Sequence, residues 1–446
     1  MDLANGKPGK DSLPVTAISR AFSATTEALA VNPSALNYGE NEGDNLPSVL
    51  ASWLSKRCSG DQKIDERYSN DAKHDAFFIT SGVSHSIELV VSALKPESRN
   101  KKVVGIERPS YFLAGEIFKA NGYEVVGLPM SCTSPTSTSD VFDNLTIDLD
   151  ATEKLILEGS LVLTFIYAIT SNQNPTGSSY SASYKLKLVR FCEKHCIQLI
   201  ADEVYHLLDF KGSQSRSQRM ATFKSPNVIS VSSFTKIFAP GVRVGWIEAP
   251  TSVIKQLSSY GYIESQGGQQ PLMGEVMCNV VNTDLDSHLN ILCDDYSSRL
   301  GAVLNRLKSI DGVEPLCTVS GGYFVYLRFP KIAEEAFPTF CETLNSELGV
   351  KILRGTKCDN TSYNCVSSDE DFERFAITTC ARICFTSLDI DVILKALDLI
   401  KEKLDFFDER EMETKPKIEP KAEPTDPFGG GGQRHQEGFY GPRHGL

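Results

Sequence analysis

The sequence contains too few basic residues for a protein that binds nucleic acid or an anionic membrane. Its 45 lysines and arginines are outnumbered by 57 aspartates and glutamates, which leaves a formal net charge of −12 at pH 7. Both kinds of partner attract proteins that carry an excess of positive charge. We therefore expect no nucleic-acid partner and no membrane surface, and any anionic ligand has to bind in a locally cationic pocket.

Long apolar runs and ordered cysteine pairs are also absent from the sequence. No apolar stretch has the length of a membrane span, and the first residues show no basic stretch followed by an apolar core. The twelve cysteines are scattered and include no Cys-x-x-Cys pair, so they predict reduced thiols and no metal site. Together these absences predict a cytoplasmic protein.

The sequence does contain a regular alternation of patterns between Ala76 and about Pro250. Short apolar runs are separated there by segments long enough for a helix. The runs are AFFIT, KVVGIE, YEVVGLP, LVLTFIYAI, IQLIADE and VISVSS. Such alternation is typical of βαβ units, in which a largely parallel sheet carries helices on both faces. It predicts an α/β fold with a three-layer αβα large domain.

A smaller α+β domain is predicted from about Asn290 onward. The candidate elements there are an amphipathic helix, the strand GGYFVYLRF, a helix near residues 334–348, the strands VKILRG and RICFT, and a last helix DVILKALDLIKEKL. The predicted divisions are an N-terminal arm over residues 1–30 that joins the small domain, a large domain over 31–285 and the small domain over 286–405.

Three further segments have the composition of irregular structure. Residues 131–140 and 356–371 are rich in hydroxyl groups and charge, which predicts surface loops. Proline, glycine and charge dominate after Leu404, and such a sequence cannot bury enough apolar surface to become ordered. Residues 406–446 are therefore predicted to form a disordered tail.

Polar residues follow the apolar runs at the points where a ligand would bind. In open parallel sheets the ligand lies at the carboxyl ends of the strands. The segments that follow the runs are Thr80–Gly82, Glu107–Tyr111, Asn174–Gly177, Asp202–Tyr205 and Ser232–Lys236. We expect these five loops to meet at one edge of the sheet.

Lys236 is the central candidate for chemistry. It lies among hydroxyl side chains after the run VISVSS, and it precedes Pro240 and Gly241. A lysine held in a cleft by a rigid turn can form a Schiff base with an aldehyde or a ketone. The other loops fit one aldehyde cofactor, pyridoxal phosphate, because it requires a phosphate site, a carboxylate for its ring nitrogen and a flat cover for its ring.

Candidates for the phosphate and for the ring nitrogen lie in different loops. Gly82, Val83 and Ser84 lie where a strand turns into a helix, and free backbone N–H groups at such a point can hold a phosphate. Asp202 can keep the ring nitrogen protonated, and Tyr205 can donate to the ring oxygen. The alternative for the segment at Asp202 is a simple helix cap.

Four more residues complete the candidate set. Asn174 precedes a proline that fixes the turn, so its amide can reach the ring oxygen and the substrate. Tyr111 can cover the ring, and the alternative is a core tyrosine. Arg243 has the fork geometry that phosphate prefers. Arg382 lies in the strand-like run ARICFT, where a guanidinium needs an anionic partner, either the carboxylate of an amino acid or an internal salt bridge.

With these residues the chain resembles the fold-type I pyridoxal-phosphate aminotransferases of class I and II. Within that family it is similar to the aminoadipate, kynurenine and aromatic aminotransferase branch and to the catalytic module of related regulator proteins. The resemblance runs from Asp2 to about Leu404, and its most specific motifs are NPTG, DEVY and SFTK followed by GVRVGW, in this order. It implies the PLP-transferase fold, with the large domain binding the cofactor.

The resemblance implies a role for each candidate. Lys236 looks like the Schiff-base lysine, Asp202 like the partner of the pyridinium, and Asn174 and Tyr205 like the partners of the ring oxygen. The residues implied at the ring face and the phosphate are Tyr111, Ser233, Arg243, Gly82, Val83 and Ser84. The residues implied at the substrate carboxylate are Arg382, Asn174 and Gly6. Members of the family are typically homodimers, and Tyr38 matches the tyrosine that reaches the phosphate of the neighbouring subunit.

The implied activity moves an amino group from an L-amino acid, aromatic, aminoadipate-like or of broad range, to a 2-oxo acid by a ping-pong mechanism. One alternative is a pyridoxal-phosphate lyase on the same fold, acting by β-elimination, decarboxylation or cyclopropane formation. A second is a serine acyl-transfer enzyme, because Ser233 to Lys236 also fits Ser-x-x-Lys, although no Lys-Thr-Gly strand follows. A third is a binding module without catalysis.

Overall fold

The structure is a computed structural model of the chain, and it describes residues 1–38, 45–58, 76–95, 102–133, 141–210, 218–268, 270–359, 363–364 and 377–414. The α-helices are α1 (Val15–Val31), α2 (Leu46–Arg57), α3 (Val83–Ala93), α4 (Phe112–Ala120), α5 (Leu149–Leu157), α6 (Ala182–Lys194), α7 (Phe234–Ile237), α8 (Thr251–Ser258), α9 (Gly261–Glu264), α10 (Pro271–Thr283), α11 (Leu285–Leu307), α12 (Phe337–Leu348) and α13 (Ile390–Thr414).

The strands belong to three sheets. They are β1 (Phe77–Thr80), β2 (Val103–Ile106), β3 (Glu124–Gly127), β4 (Met130–Thr133), β5 (Asn144–Ile147), β6 (Phe165–Ala168), β7 (Gln198–Asp202), β8 (Val228–Ser233), β9 (Gly245–Glu248), β10 (Glu314–Pro315), β11 (Phe324–Arg328), β12 (Leu353–Arg354), β13 (Tyr363–Asn364) and β14 (Cys380–Cys384).

Eight of these strands form one large sheet in the order β1-β9-β8-β7-β6-β2-β3-β13. Strand β9 runs antiparallel to β1 and β8, and the other neighbours pair in parallel. All six apolar runs recognised in the sequence are strands of this sheet. The prediction of a largely parallel sheet is therefore confirmed.

Both faces of the large sheet are covered by helices. Along β6, Phe165 and Tyr167 pack into one hydrophobic cluster, whereas Ile166 and Ala168 pack into a second. Successive side chains of a strand point to opposite faces, so the two clusters lie on opposite sides of the sheet. Apolar residues of α3 and α4 join the first cluster and those of α6 join the second. This arrangement confirms the predicted three layers.

A second, smaller sheet has the order β10-β11-β14-β12 and is antiparallel throughout. Helices α11 and α12 contact α13 beside it. These elements confirm the predicted smaller α+β unit. The first residues of the chain join its edge, because Leu3 N donates to Lys351 O over 2.9 Å and Cys384 N donates to Leu3 O over 2.8 Å.

The two segments expected to be surface loops contain strands, so that expectation was wrong in part. Strand β4 pairs with β5, and β13 pairs with Val126 and Gly127 of β3 at the edge of the large sheet. Such short edge strands need few apolar side chains, so their polar composition predicted loops and not strands. Residues 134–140, 360–362 and 365–371 of those segments lie outside the described residues.

The last helix also differs from the expectation, since α13 continues past Leu404 to Thr414. The added residues include glutamate, arginine and methionine, which favour helix, and no proline occurs until Pro416. Residues 415–446 of the predicted tail lie outside the described residues. Within the described part of the chain, none of the helices combines the length and the apolar character that crossing a membrane requires.

Candidate active site

The five predicted loops lie at one edge of the large sheet and contact one another. The loop after β2 meets the loop after β6, where Ile169 N donates to a carboxyl oxygen of Glu107 over 2.8 Å. The loop after β1 meets the end of β8 through Arg243, whose Nη2 donates to Ser81 O over 2.9 Å. The carboxyl ends of parallel strands share an edge, so this convergence follows from the sheet topology.

Lys236 lies in α7, a single helical turn directly after β8. Its Nζ donates to Gly6 O over 2.6 Å and lies 5.4 Å from the centroid of the Tyr323 ring. Burial lowers the pKa of Lys236 to about 8. A lysine with such a pKa is partly uncharged near neutrality, and the uncharged amine is the nucleophilic and basic form.

Asp202 is the last residue of β7 and is almost completely buried. Its Oδ2 accepts a hydrogen bond from Tyr167 OH over 2.8 Å, and its Oδ1 accepts one from Val204 N over 3.1 Å. Burial raises the pKa of Asp202 to about 6, although the Tyr167 hydrogen bond acts in the opposite direction. A buried carboxylate held by neutral donors is stabilised by any cation placed beside it.

The turn before α3 offers free backbone donors and lies against an arginine. Gly82 has φ of 109°, and a Cβ on it would come within 2.9 Å of Arg243 Nη2. The first N–H groups of α3, at Val83 and Ser84, have no carbonyl one turn earlier in the helix to accept them. Gly82 therefore lets the guanidinium of Arg243 approach the N-terminus of α3. The guanidinium and the helix N-terminus together suit an anion.

Hydroxyl groups also lie next to the Arg243 guanidinium. Ser233 Oγ lies 2.7 Å from Thr235 Oγ1 and donates to Val244 O over 2.9 Å. Arg243 Nη1 reaches Thr235 Oγ1 over 3.4 Å. Thr235 was not among the predicted site residues, although it stands between Ser233 and Lys236 in the same hydroxyl-rich run.

Arg382 lies in β14, in the middle of the small sheet, and is 5 % exposed. Its Nη1 donates to Asn174 Oδ1 over 2.7 Å and its Nη2 donates to Ala4 O over 2.6 Å. The Nε atom is buried and has no partner among the described residues. The guanidinium also lies 4.0 Å above the Phe324 ring. Nε–H and one Nη2–H of a guanidinium point the same way, so a carboxylate placed at this edge would accept two parallel hydrogen bonds.

The remaining predicted residues lie around these groups, with one exception. Tyr111 is the residue before α4, and its pKa is raised by burial and by the charge of Asp202. Tyr205 is buried, and its ring centroid lies 6.0 Å from Lys236 Nζ. A Cβ on Gly6 would come within 2.5 Å of Phe324 Cζ. Tyr38 is 75 % exposed and lies at the surface of this single chain.

Two tyrosines outside the predicted set of site residues also contact these groups. Tyr167 donates to Asp202, and Tyr323 donates its hydroxyl to Lys236 O over 2.8 Å. Both lie in apolar runs that predict buried strands, and a buried tyrosine usually has a hydrogen-bond partner. That rule could have marked both residues as neighbours of polar groups.

The family model described as aminotransferase class I and II matches residues 1–400. The chain therefore belongs to this family. Membership confirms the predicted enzyme class, a transaminase that uses pyridoxal phosphate.

Individual relatives are distant. The aromatic-amino-acid aminotransferase 1 of Thermococcus litoralis is 25 % identical over 343 residues, which is 74 % of each chain. The HTH-type transcriptional regulator NorG of Staphylococcus aureus is 26 % identical over 355 residues, or 77 % of this chain and 71 % of that one. Among solved structures, kynurenine aminotransferase of Pyrococcus horikoshii in complex with PMP shares the fold, with a TM-score of 0.72, 21 % identity and 91 % of both chains covered.

Proposed function

We propose that this aminotransferase carries out its reaction at the site around Lys236, Asp202 and Arg382. The observation that carries the proposal is the combination of burial, pKa and hydrogen bonding at these three groups. Lys236 is an amine whose pKa is lowered to about 8, Asp202 is a buried carboxylate held by neutral donors, and Arg382 has a buried Nε without a partner among the described residues. An amine, an anion and a guanidinium with an unused donor are what the cofactor and an amino acid together need.

The residues present fit pyridoxal phosphate. When bound, the cofactor supplies an aldehyde that combines with amines and a protonated ring that withdraws electrons from the α-carbon of the amino acid. Asp202 would hold the ring nitrogen, and Asn174 and Tyr205 would hold the ring oxygen. Tyr111 would cover the ring. The groups proposed for the phosphate are Gly82, Val83, Ser84, Ser233 and Arg243, because they combine free N–H donors, a hydroxyl and a guanidinium.

Lys236 would also move the proton of the reaction. A general base works best when its pKa lies near the working pH. Burial brings the pKa of Lys236 from 10.5 to about 8, which makes its amine a competent base and its ammonium a competent acid. The hydrogen bond from Lys236 Nζ to Gly6 O has to open when the amine reacts, and the nearby Tyr323 hydroxyl holds the lysine backbone in place.

Arg382 would bind the substrate carboxylate through its Nε and Nη2 edge. The hydrogen bonds to Asn174 and Ala4 fix the plane of the guanidinium, and the Phe324 ring supports one face. A fixed guanidinium binds a carboxylate through two parallel hydrogen bonds. Gly6 lies next to the same ring of Phe324, where a larger residue would collide.

Aromatic or similarly large amino acids are the substrates we propose to test first. The buried rings of Tyr205, Tyr323 and Phe324 contact one another beside Lys236 and Arg382, so the groups proposed to bind the amino acid lie against an aromatic cluster. The relative from Thermococcus litoralis is an aromatic-amino-acid aminotransferase, which supports the same choice.

The active form is proposed to be a cytoplasmic homodimer. Apolar side chains are exposed on α1 and on the 3-10 helix that contacts it, with Val31 at 88 % and Leu36 at 64 %. Tyr38, 75 % exposed, follows them directly. Exposed apolar groups that lie together mark protein interfaces. Tyr38 would reach the phosphate bound by the partner, so a concentration series with Tyr38→Phe should show weaker cofactor binding in an intact dimer.

Product analysis separates this function from a lyase on the same fold. A transaminase releases one 2-oxo acid per site and no ammonia when it meets an amino acid without a second substrate. A lyase would release ammonia or carbon dioxide, or would expel a group from the β-carbon. Detection of those products in place of the 2-oxo acid of the unchanged side chain would rule out the proposed reaction.

A further inference from the structure

The loop that leads to Tyr111 is anchored to the large sheet at two of its residues. Glu107 accepts hydrogen bonds from Ile169 N and from Tyr180 OH, each over 2.8 Å. Pro109 O accepts from Gln173 Nε2 over 2.8 Å. These contacts join the loop to the NPTG segment, and they leave Arg108 and Ser110 to face other partners.

Arg108 and Ser110 are anchored instead to the segment that follows β12 of the small sheet. The guanidinium of Arg108 donates from Nε to Asp359 Oδ1 over 2.7 Å and from Nη2 to Oδ2 over 2.6 Å. Both side chains are largely shielded, at 12 % and 18 % exposure. Ser110 N donates to Cys358 O over 2.9 Å. Tyr111 is the next residue, so its position depends on contacts from both sheets.

Asp359 is joined to the small sheet by the short helix that precedes it. It follows the 3-10 helix Gly355–Cys358, which contacts β12 and β14. Gly355 lies so close to the Tyr326 hydroxyl and to Ile377 O that no Cβ would fit there. Strand β14 carries Arg382. A continuous set of contacts therefore connects the Arg382 strand through Asp359 and Arg108 to Tyr111.

We propose that Asp359 is a positioning residue, which fixes the position of the Tyr111 ring through Arg108. In this way it also fixes the distance between the Tyr111 ring and the guanidinium of Arg382. The proposal rests on the role given above to Tyr111. A two-point guanidinium–carboxylate pair fixes orientation as well as distance, and its shielded setting reduces the screening of the pair by salt. An exposed surface pair would do neither.

Asp359→Asn removes the charge and one of the two acceptors while keeping the shape of the side chain. We expect the dissociation constant of pyridoxal phosphate to rise roughly tenfold, as expected when one charge-assisted hydrogen bond is lost. The visible circular dichroism of the bound cofactor should change as well, since it reports the asymmetric surroundings of the ring. Glu314→Gln is the matched control, because it removes the carboxylate partner of Arg328 in the same small sheet and should leave both readouts unchanged.

A double-mutant cycle with Tyr111→Leu distinguishes positioning from general stabilisation. If Asp359 acts through Tyr111, Asp359→Asn should change the cofactor dissociation constant less than twofold in the Tyr111→Leu background. An equal, roughly tenfold effect in both backgrounds would overturn the proposal, and so would an unchanged dissociation constant in Asp359→Asn alone. Arg108→Lys, which keeps the charge but not the planar fork, is the second variant and should show the same dependence on Tyr111.

The failure of this inference can be told apart from a failure of the proposed function. Normal cofactor affinity in Tyr111→Leu would show that Tyr111 does not contribute to cofactor binding, and the proposed role of Asp359 would then fail as well. Loss of cofactor attachment in Lys236→Ala does not depend on either residue and tests the proposed site by itself.

Discussion

Arg382 Nη1 donates to Asn174 Oδ1 over 2.7 Å, which joins the middle of the small sheet to the NPTG loop at the edge of the large sheet. The two residues are 208 positions apart in the sequence. Because the amide oxygen of Asn174 is used by Arg382, its Nδ2 group is the part that can donate to a bound ligand. The pair therefore orients both a cation for the substrate and a donor for the cofactor.

Arg382→Lys should weaken substrate recognition because lysine lacks the planar fork. We expect kcat/KM for an L-amino acid to fall about 30-fold, or about 2 kcal/mol, mainly through KM. The reaction with a primary amine that has no carboxylate should be unaffected. Arg328→Lys, in the neighbouring strand β11, is the matched control. Equal losses for the amino acid and the amine would contradict the assigned role.

Arg243→Gln should weaken binding of the cofactor through its phosphate. We expect the dissociation constant of pyridoxal phosphate to rise about 30-fold, since a charge-assisted contact to phosphate contributes roughly 2 kcal/mol. Pyridoxal, which has no phosphate, should bind to the variant and to the unaltered protein equally well. If both compounds lost affinity to the same extent, Arg243 would have a structural role and not a phosphate role.

Asp202→Asn should make the cofactor-free protein more stable while abolishing transamination. Burial raises the pKa of Asp202 from 3.8 to about 6, so the ionised folded state is disfavoured by up to about 3 kcal/mol above pH 6. The penalty is absent below about pH 4, where the carboxyl is protonated in folded and unfolded chains alike. Thermal unfolding of the two cofactor-free proteins should therefore differ at pH 7.5 and converge toward pH 4. A variant that is less stable at pH 7.5 would contradict this account of the site.

Lys236 should react as an amine of low pKa. In the cofactor-free protein, labelling of the Lys236 peptide by an amine-specific reagent should increase with pH around a midpoint near 8. Exposed lysines of the same sample should show a midpoint near 10.4 and serve as the internal control. Asp202→Asn should lower the Lys236 midpoint further, because the carboxylate favours the ammonium. A midpoint near 10.4 for Lys236 would show that the lysine is not desolvated.

The strands of the large sheet and the loops at their ends could be predicted because their signals are local. A run such as IQLIA followed by Asp202 shows both a buried strand and a polar end within a few residues. Lys236 and Arg243 were recognised for the same reason, since turn residues and hydroxyl groups surround them. The family resemblance then added the role of Gly6, which no local pattern reveals, and favoured a substrate carboxylate over an internal salt bridge as the partner of Arg382.

Contacts between distant parts of the chain could not be predicted in this way. The bond from Lys236 to Gly6 spans 230 positions and that from Arg108 to Asp359 spans 251. Each depends on how two sheets pack together, and neither leaves a pattern in the residues beside it. The short strand Tyr363–Asn364 was missed because it is stabilised by the edge of β3 and not by its own composition.

The most direct test of the central claim is a single turnover of the purified enzyme loaded with pyridoxal phosphate. An L-amino acid would be added without a second substrate, and the visible absorption of the cofactor and the released products would be measured together. The account predicts that the visible band disappears, that one equivalent of 2-oxo acid appears per site, that a 2-oxo acid restores the band, and that Lys236→Ala does none of these. An unchanged spectrum without 2-oxo acid, or an equally active Lys236→Ala protein, would contradict it.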